Sequence, residues 1–345
     1  MATPKTQFLT NDEATRKKWS KELYHVILKA VEFNDLMGTD SNAIIQVKND
    51  LGKGEGDVIK TDIRLPLVGE GIVGNDTVEG NEEKLQFRNF NLTIEELNHA
   101  VDTGGKMEQQ RVPYDLVVEG KNALQDWWSD KLSDMLFNHL CGIATYRIAG
   151  KVFAQNPTAP DTNHLILAND VAEASQTAGD YMDLTMLDRM KQRAEIPIGQ
   201  YNYKVRPLNL GGKNYYRVIL HNYVFDALRQ NTNVGQWGDL MRSAGKLQLP
   251  QVEIEYNGML ISKSERIKAN TTNVYRNVLL GAQAAICAWG GAGESKSTTM
   301  IFVPYEKDAK RYIMIRGGGI LGIKKVVFDS VDFGVIVGAS YATAL

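Results

Sequence analysis

Two glycine-rich stretches offer the residue types that hold phosphate. Gly290 to Ser297 reads GGAGESKS, with Gly290, Lys296 and Ser297 where a phosphate-binding loop needs them. Ser295, however, stands where that loop uses glycine to let the backbone approach phosphate. The segment after it, TTMIFV, is β-branched, whereas the loop must open a helix whose N-terminus faces the anion. Gly317, Gly319 and Gly322 spell GxGxxG after YIMIR. The next segment, IKKVVF, is again strand-like, and a dinucleotide site needs a helix there and an acidic residue further on. The spacing predicts a surface loop at 290–297 and a tight β-turn at 317–322.

Other chemistry-bearing residues do not assemble into a site. His25, His99, His139, His164 and His221 lack ligand spacing, and His99 follows Glu95 and Glu96 by helical steps without forming HExxH. No GxSxG elbow is present. Cys141 and Cys287 lie in apolar settings, HLCGI and AAICAW, which predicts buried free thiols. The remaining cluster is acidic: Glu70, Asp76, Glu79, Glu82 and Glu83 fall within GEGIVGNDTVEGNEE, a loop without Lys or Arg. Asp76, Glu79 and Glu82 match no calcium-loop spacing. The sequence thus predicts no catalytic residue, cofactor or metal, and no enzyme.

The elements around that loop give it meaning. Val58 to Leu67 alternates apolar and polar residues, the period of a strand. Lys84 to Ile94 returns, changing phase across Arg88 and Asn89, where a bulge is expected. An isolated hairpin is marginal in water, so this one needs a partner surface. Immediately downstream, residues 113–141 carry Ala123, Leu124, Trp127, Trp128, Leu132, Met135, Leu136 and Leu140 at helical steps. Pro113 or Asp115 can open this long helix and Gly142 stop it. Upstream, Trp19, Leu23 and Ile27 mark an amphipathic helix in an N-terminal arm. The arm docks on its own domain or on another subunit; the residues allow both.

After the long helix the chain reads as a mixed α+β body. Thr145–Phe153 is expected as a strand, Asp183–Glu195 as a helix and Tyr215–Leu220 as a strand. A helix from His221 or Asn222 through Leu228, another over Gln236–Ser243, and a strand pair turning at Asn257-Gly258 follow. Val274–Ala288 fits helix and strand alike, and three strands, YIMI, KKVVF and FGVIV, close the chain. At 345 residues, 43% hydrophobic and 23% charged, the chain has ample core for a soluble fold. Its formal net charge of −2 gives no global case for wrapping nucleic acid. No signal segment or 18-residue apolar run is present, which predicts no membrane and synthesis in a cytoplasm.

This order of parts resembles the major capsid proteins of tailed bacteriophages with the Hong Kong 97-like fold, and most the branch like that of coliphage N-four. GTDSNAIIQVKNDLGKGEGD at 38–57, LVGEGIVGNDTVEGNEEKL at 67–85 and GKMEQQRVPYDL at 105–116 carry the likeness. YRVILHNYVFDALRQ at 216–230, GMLISKSERI at 258–267 and LGIKKVVFDSVDFGVIV at 321–337 extend it through the body. The resemblance implies an N-terminal arm (1–50), an extended hairpin or E-loop (51–100) and a peripheral domain with its spine helix (101–225). An axial domain (226–310) and closing strands (311–345) follow. It implies a virion protein, assembled in the bacterial host cytoplasm as hexamers and pentamers of an icosahedral shell around double-stranded DNA. The DNA would meet the inner surface non-specifically, and a scaffolding protein, a portal and a decoration protein would be partners. Some relatives carry a cleaved N-terminal scaffolding segment; with the arm starting near Met1, a separate scaffold or a processed form is expected. No isopeptide cross-link through Lys60 or Lys84 is expected. An encapsulin-like nanocompartment is the alternative. The acidic tip calls for a basic acceptor: Lys204, Arg206 and Arg217, or Lys307, Lys310 and Arg311.

Overall fold

Asp115 opens the long helix. Its carboxylate accepts from the Val117 N–H at 2.8 Å, satisfying a donor that the first turn leaves open. The spine helix therefore runs Leu116–Cys141, opened by Asp115, the second of the two openers the sequence offers, with Pro113 outside it. Gly142, at φ 67°, stops it in the left-handed conformation that glycine adopts without penalty. The Arg276 guanidinium then donates to the Gly142 carbonyl at 2.7 Å, a cation at the negative end of the helix dipole.

The computed structural model describes residues 36–48, 56–65, 67, 71–74, 77–197, 204–231, 233, 237, 252–291, 300–309 and 311–344. Before the spine helix come β1 (Met37–Gly38), β2 (Ile45–Lys48), β3 (Val58–Arg64), β4 (Phe87–Thr93), β5 (Glu95–Gly105) and a short helix, Lys106–Arg111. After it come β6 (Leu165–Leu167), the helix Leu184–Glu195, β7 (Leu208–Leu210), β8 (Lys213–His221) and the helix Asn222–Gln230. The chain continues with β9 (Ile254–Tyr256), β10 (Met259–Ser264), β11 (Ala269–Thr271), β12 (Val274–Leu280) and β13 (Ala285–Trp289). It closes with β14 (Met300–Lys307), β15 (Tyr312–Lys325), β16 (Val327–Phe328), β17 (Val331–Asp332) and β18 (Val335–Tyr341).

β15 is the axis of a six-stranded sheet of order β1-β2-β13-β15-β14, with β5 also paired to β15. β13 and β14 lie end to end along one edge of β15, and β5 occupies the other. The second sheet has eight strands, β6-β18-β12-β8-β10-β9 with β11 on β12 and β7 on β8. One core lies between the sheets and the spine helix: Trp128, Leu136, Phe137 and Leu140 meet Cys287, Leu321, Ile323, Val278 and Val337. A second covers the other face of the eight-stranded sheet, where Leu187 and Met190 of one helix and Val224 and Leu228 of the next pack on Val218, Leu279 and Ile336. Strands buried on both faces read as unbroken apolar runs, which explains why Val274–Ala288 carried no clear period. It is two strands, β12 and β13.

Several expectations give way. Residues 317–322 are not a turn but the middle of β15. A Cβ on Gly317 would press on Trp128 and Phe302, and one on Gly322 on the Thr93 carbonyl; the glycines let the helix and β4 approach the strand closely. Over Thr145–Phe153 only a bridge between Ile148 and Lys151 forms. The helical steps of Glu95, Glu96 and His99 are an extended strand, β5. β3 and β4 pair in unbroken register from Val58↔Thr93 to Arg64↔Phe87, so there is no bulge at Arg88–Asn89; Phe87 simply sits on the exposed face. Ala123 is exposed rather than on the buried stripe of the spine helix. The boundaries expected at 225 and 310 do not coincide with the sheets: β6 and β8, before 225, share the eight-stranded sheet with β9 to β12, and β13 and β14, before 310, share the six-stranded sheet with β15. Residues 36–48, expected in the arm, instead supply β1 and β2 to the six-stranded sheet; residues 1–35, all but Trp237 of the expected helix over Gln236–Ser243, and most of Gly290–Ser297 lie outside the described residues.

Candidate assembly surface

The hairpin is anchored at its base and bare at its tip. Ile59, Leu65, Phe90 and Leu92 pack against Ile286, Ala288, Val326 and Phe328, the face of β13 opposite Cys287. Arg88 pairs with Asp329 at 2.7 Å. Lys324 sits over the Phe90 ring, 4.7 Å from its centroid, and donates to the Asn91 carbonyl at 3.0 Å. Beyond this root, Leu67, Val73, Val78, Leu85 and Phe87 are exposed, Val73 to 84%. Large apolar side chains clustered on an exposed loop mark an interaction surface. Glu79, Glu82 and Glu83 are exposed among them, and Glu82 accepts from the Gly80 N–H at 2.9 Å. Glu70 and Asp76 lie outside the described residues, as do Trp19, Leu23 and Ile27 of the arm.

The basic residues matched to this tip separate. Arg217 is 7% exposed, on β8 inside the eight-stranded sheet, and offers no surface charge. Lys204 and Arg206 are exposed, beside Val205 and Leu208, which turn into the cores. Lys307 is exposed at the end of β14. Arg311 is exposed, 3.4 Å from Asp308 and over the Tyr312 ring. Lys310 lies outside the described residues. Sequence reasoning missed Arg316, exposed on β15 and 3.9 Å from Glu96; its place beside the glycines drew attention to the glycines instead.

The interior holds polar groups that fix the two sheets. Lys325 and Asp332 pair at 2.8 Å with side chains 0% and 1% exposed. The Asp332 N–H donates to Asp161 at 2.8 Å, and the same carboxylate holds His164 Nδ1 at 2.7 Å. Burial pulls the Asp161 carboxyl up, but the bonds from His164 and from the Asp332 and Asn163 backbone overcome it and hold it down at about 2. Burial lowers Lys325 and raises Asp332, each opposed by its partner. Arg266, 1% exposed, pairs with Asp130 of the spine helix, and Lys268 reaches Asp134 at 2.8 Å. Burial pushes the Cys141 and Cys287 thiols up to about 12, so both are inert and unpaired with each other. Among the described residues no cluster of His, Cys, Asp or Glu is placed to hold a metal ion, and no helix is long and apolar enough to cross a membrane.

A family model described as phage capsid protein matches residues 7–344. The chain belongs to the phage capsid protein family. This is a family of structural proteins of the virion. Among individual relatives, the chain is 24% identical over 375 residues to the major capsid protein of Pseudomonas phage KPP25, covering 95% of each. Among solved structures, the capsid of Ralstonia phage GP4 matches at a TM-score of 0.80 and 26% identity, covering 99% of both chains. The Cyanophage Pam1 capsid matches at 0.76 and 16% identity, over 96% of this chain and 97% of that one. The fold of this phage capsid protein is thus the Hong Kong 97-like one, α+β with a hairpin and a spine helix.

Proposed function

We propose that this phage capsid protein is a major capsid protein, closing an icosahedral shell as hexamers and pentamers of itself around double-stranded DNA. A family match over nearly the whole chain supports the phage shell over an encapsulin-like compartment. The observation that carries the assembly mode is the hairpin, anchored at its root and presenting apolar and acidic side chains at its tip. Lying across the next subunit, it gains the partner that an isolated hairpin lacks. The eight-stranded sheet and its two helices would form the axial domain, and the six-stranded sheet with the spine helix the peripheral domain. The arm, through Trp19, Leu23 and Ile27, docks on a neighbour. The role is structural, without catalysis or cofactor.

A scaffolding protein, a portal and a decoration protein are the expected partners, with assembly in the host cytoplasm. A net charge of −2 suits a container, because strong positive charge inside would hold DNA through many phosphate contacts and impede packing and release. Negative-stain electron microscopy of the purified protein, alone and with a co-expressed scaffold, tests the proposal. Closed shells of uniform size are expected; a monodisperse monomer under all conditions overturns it.

A further inference from the structure

Lys325, the last residue of β15, and Asp332, the last of β17, bracket the small β16–β17 hairpin, which pairs Val327 with Asp332 and Phe328 with Val331. Their side chains meet at 2.8 Å and are 0% and 1% exposed. Strand side chains alternate, so Lys325 shares the inner face of β15 with Ile323, toward the end of the spine helix. There its charge reaches His139 and Cys141, both buried. Asp161 fixes the other partner: its carboxylate accepts from the Asp332 N–H at 2.8 Å and is itself held by His164. An ammonium carries three donors. Among the described residues the Lys325 ammonium meets a single acceptor, Asp332 Oδ2. Its other protons are left without partners away from water, a costly arrangement for a charged group.

We propose that Lys325 and Asp332 condense into an isopeptide bond within the chain, a modification that the folded protein performs on itself once. Shut off from water, the ion pair passes its proton from nitrogen to oxygen and becomes an amine facing a carboxylic acid. Burial, which lowers Lys325 and raises Asp332, favours that transfer. The Nζ lone pair attacks Asp332 Cγ and forms the C–N bond. The C–OH bond then breaks, and the hydroxyl leaves as water with a proton from the nitrogen. Nothing is oxidised or reduced, and no co-reactant enters. The product amide carries no charge, replacing a buried ion pair whose desolvation is costly. Holding the two groups in contact supplies the orientation that free amines and acids lack, and Asp161 is the positioning residue. The bond closes the β16–β17 hairpin beneath Phe328, whose ring meets Phe90 edge-on at 6.2 Å. It thereby staples the platform that carries the root of the β3–β4 hairpin.

Intact-mass spectrometry of the folded, purified chain over days of incubation tests this. The wild type should become lighter by one water. Trypsin should then fail to cut after Lys325, leaving a looped peptide that begins there and yields no backbone fragments between 325 and 332. Lys325→Met with Asp332→Leu should keep its full mass, and Asp332→Asn should lose ammonia instead of water. A succinimide at Asp329 or Asp332 also loses one water but leaves the bond after Lys325 open to trypsin; finding it instead overturns the proposal. So does loss of water from the double variant. A folded wild-type chain that keeps its full mass and is cut after Lys325 overturns it too, whether or not that chain builds shells.

Discussion

His139 gives the sharpest quantitative expectation. It sits near the end of the spine helix, 5% exposed, and its Nδ1 finds no hydrogen-bond partner among the described residues. Burial, and then the charges of Lys324 and Lys325, lower its pKa from 6.5 to about 3. The folded protein therefore keeps this imidazole neutral at pH values where the unfolded chain protonates it. Below pH 6.5 the unfolded state binds more protons, so stability falls as pH falls, until the folded form titrates near 3. Between pH 7.5 and pH 5 the unfolded imidazole gains about 1.5 units of protonation free energy, or about 2 kcal/mol at 1.36 kcal/mol per unit. Replacing it by a side chain of similar volume that does not titrate, His139→Met, removes that component and leaves the carboxylate contributions intact. Urea unfolding of the unassembled subunit at pH 7.5 and pH 5, for both proteins, isolates the difference. The wild type should lose about 2 kcal/mol more than the variant over that interval. Equal losses would refute the reasoning, and would mean that His139 is hydrated or protonated in the folded state.

Removing one partner of the buried Lys325–Asp332 pair should be costly. Asp332→Asn is expected to destabilise by about 3–5 kcal/mol in urea unfolding, while Lys325→Met with Asp332→Leu recovers most of the loss. Gly322→Ala forces a methyl against the Thr93 carbonyl and should cost about 1–3 kcal/mol by thermal or urea unfolding, separating the root of the hairpin from β15. Stability below pH 4 should decline toward pH 2 as Asp161, held down at about 2, takes up its proton and releases His164 and the Asp332 backbone; far-UV circular dichroism against pH follows it, and Asp161→Asn should flatten that segment of the curve. Deleting residues 69–80 should leave a folded subunit that builds no shells, seen by microscopy beside an unchanged unfolding midpoint; normal closed particles would remove the hairpin from the assembly.

What was legible in the residues is what depends on neighbours along the chain. The stripe through Leu124, Trp128, Leu136 and Leu140, the cap at Asp115 and the stop at Gly142 give the spine helix. Asp183 caps the helix Leu184–Glu195, its carboxylate accepting from the Met186 N–H at 2.7 Å. The alternation of Ile59, Thr61 and Ile63 gives β3, and the acidic glycine loop gives a tip in need of a partner. Helical period, capping and alternation are local properties, so composition and spacing determined them.

Tertiary structure decided the rest, because the deciding contacts join residues far apart in the chain. EELNHAVDTGG has no apolar alternation and becomes β5 only because β15 lies beside it. The glycines at 317–322 suggest a turn by themselves, yet Trp128 and Thr93 approach so closely that glycine in a straight strand is what fits. Arg217, a surface charge by type, is buried by the strands on either side of β8. Arg316 lines a concavity only because register brings Val303 and Ala100 alongside it. A groove made by three strands has no signature in any one of them; the long-range pairing of the sheet creates it.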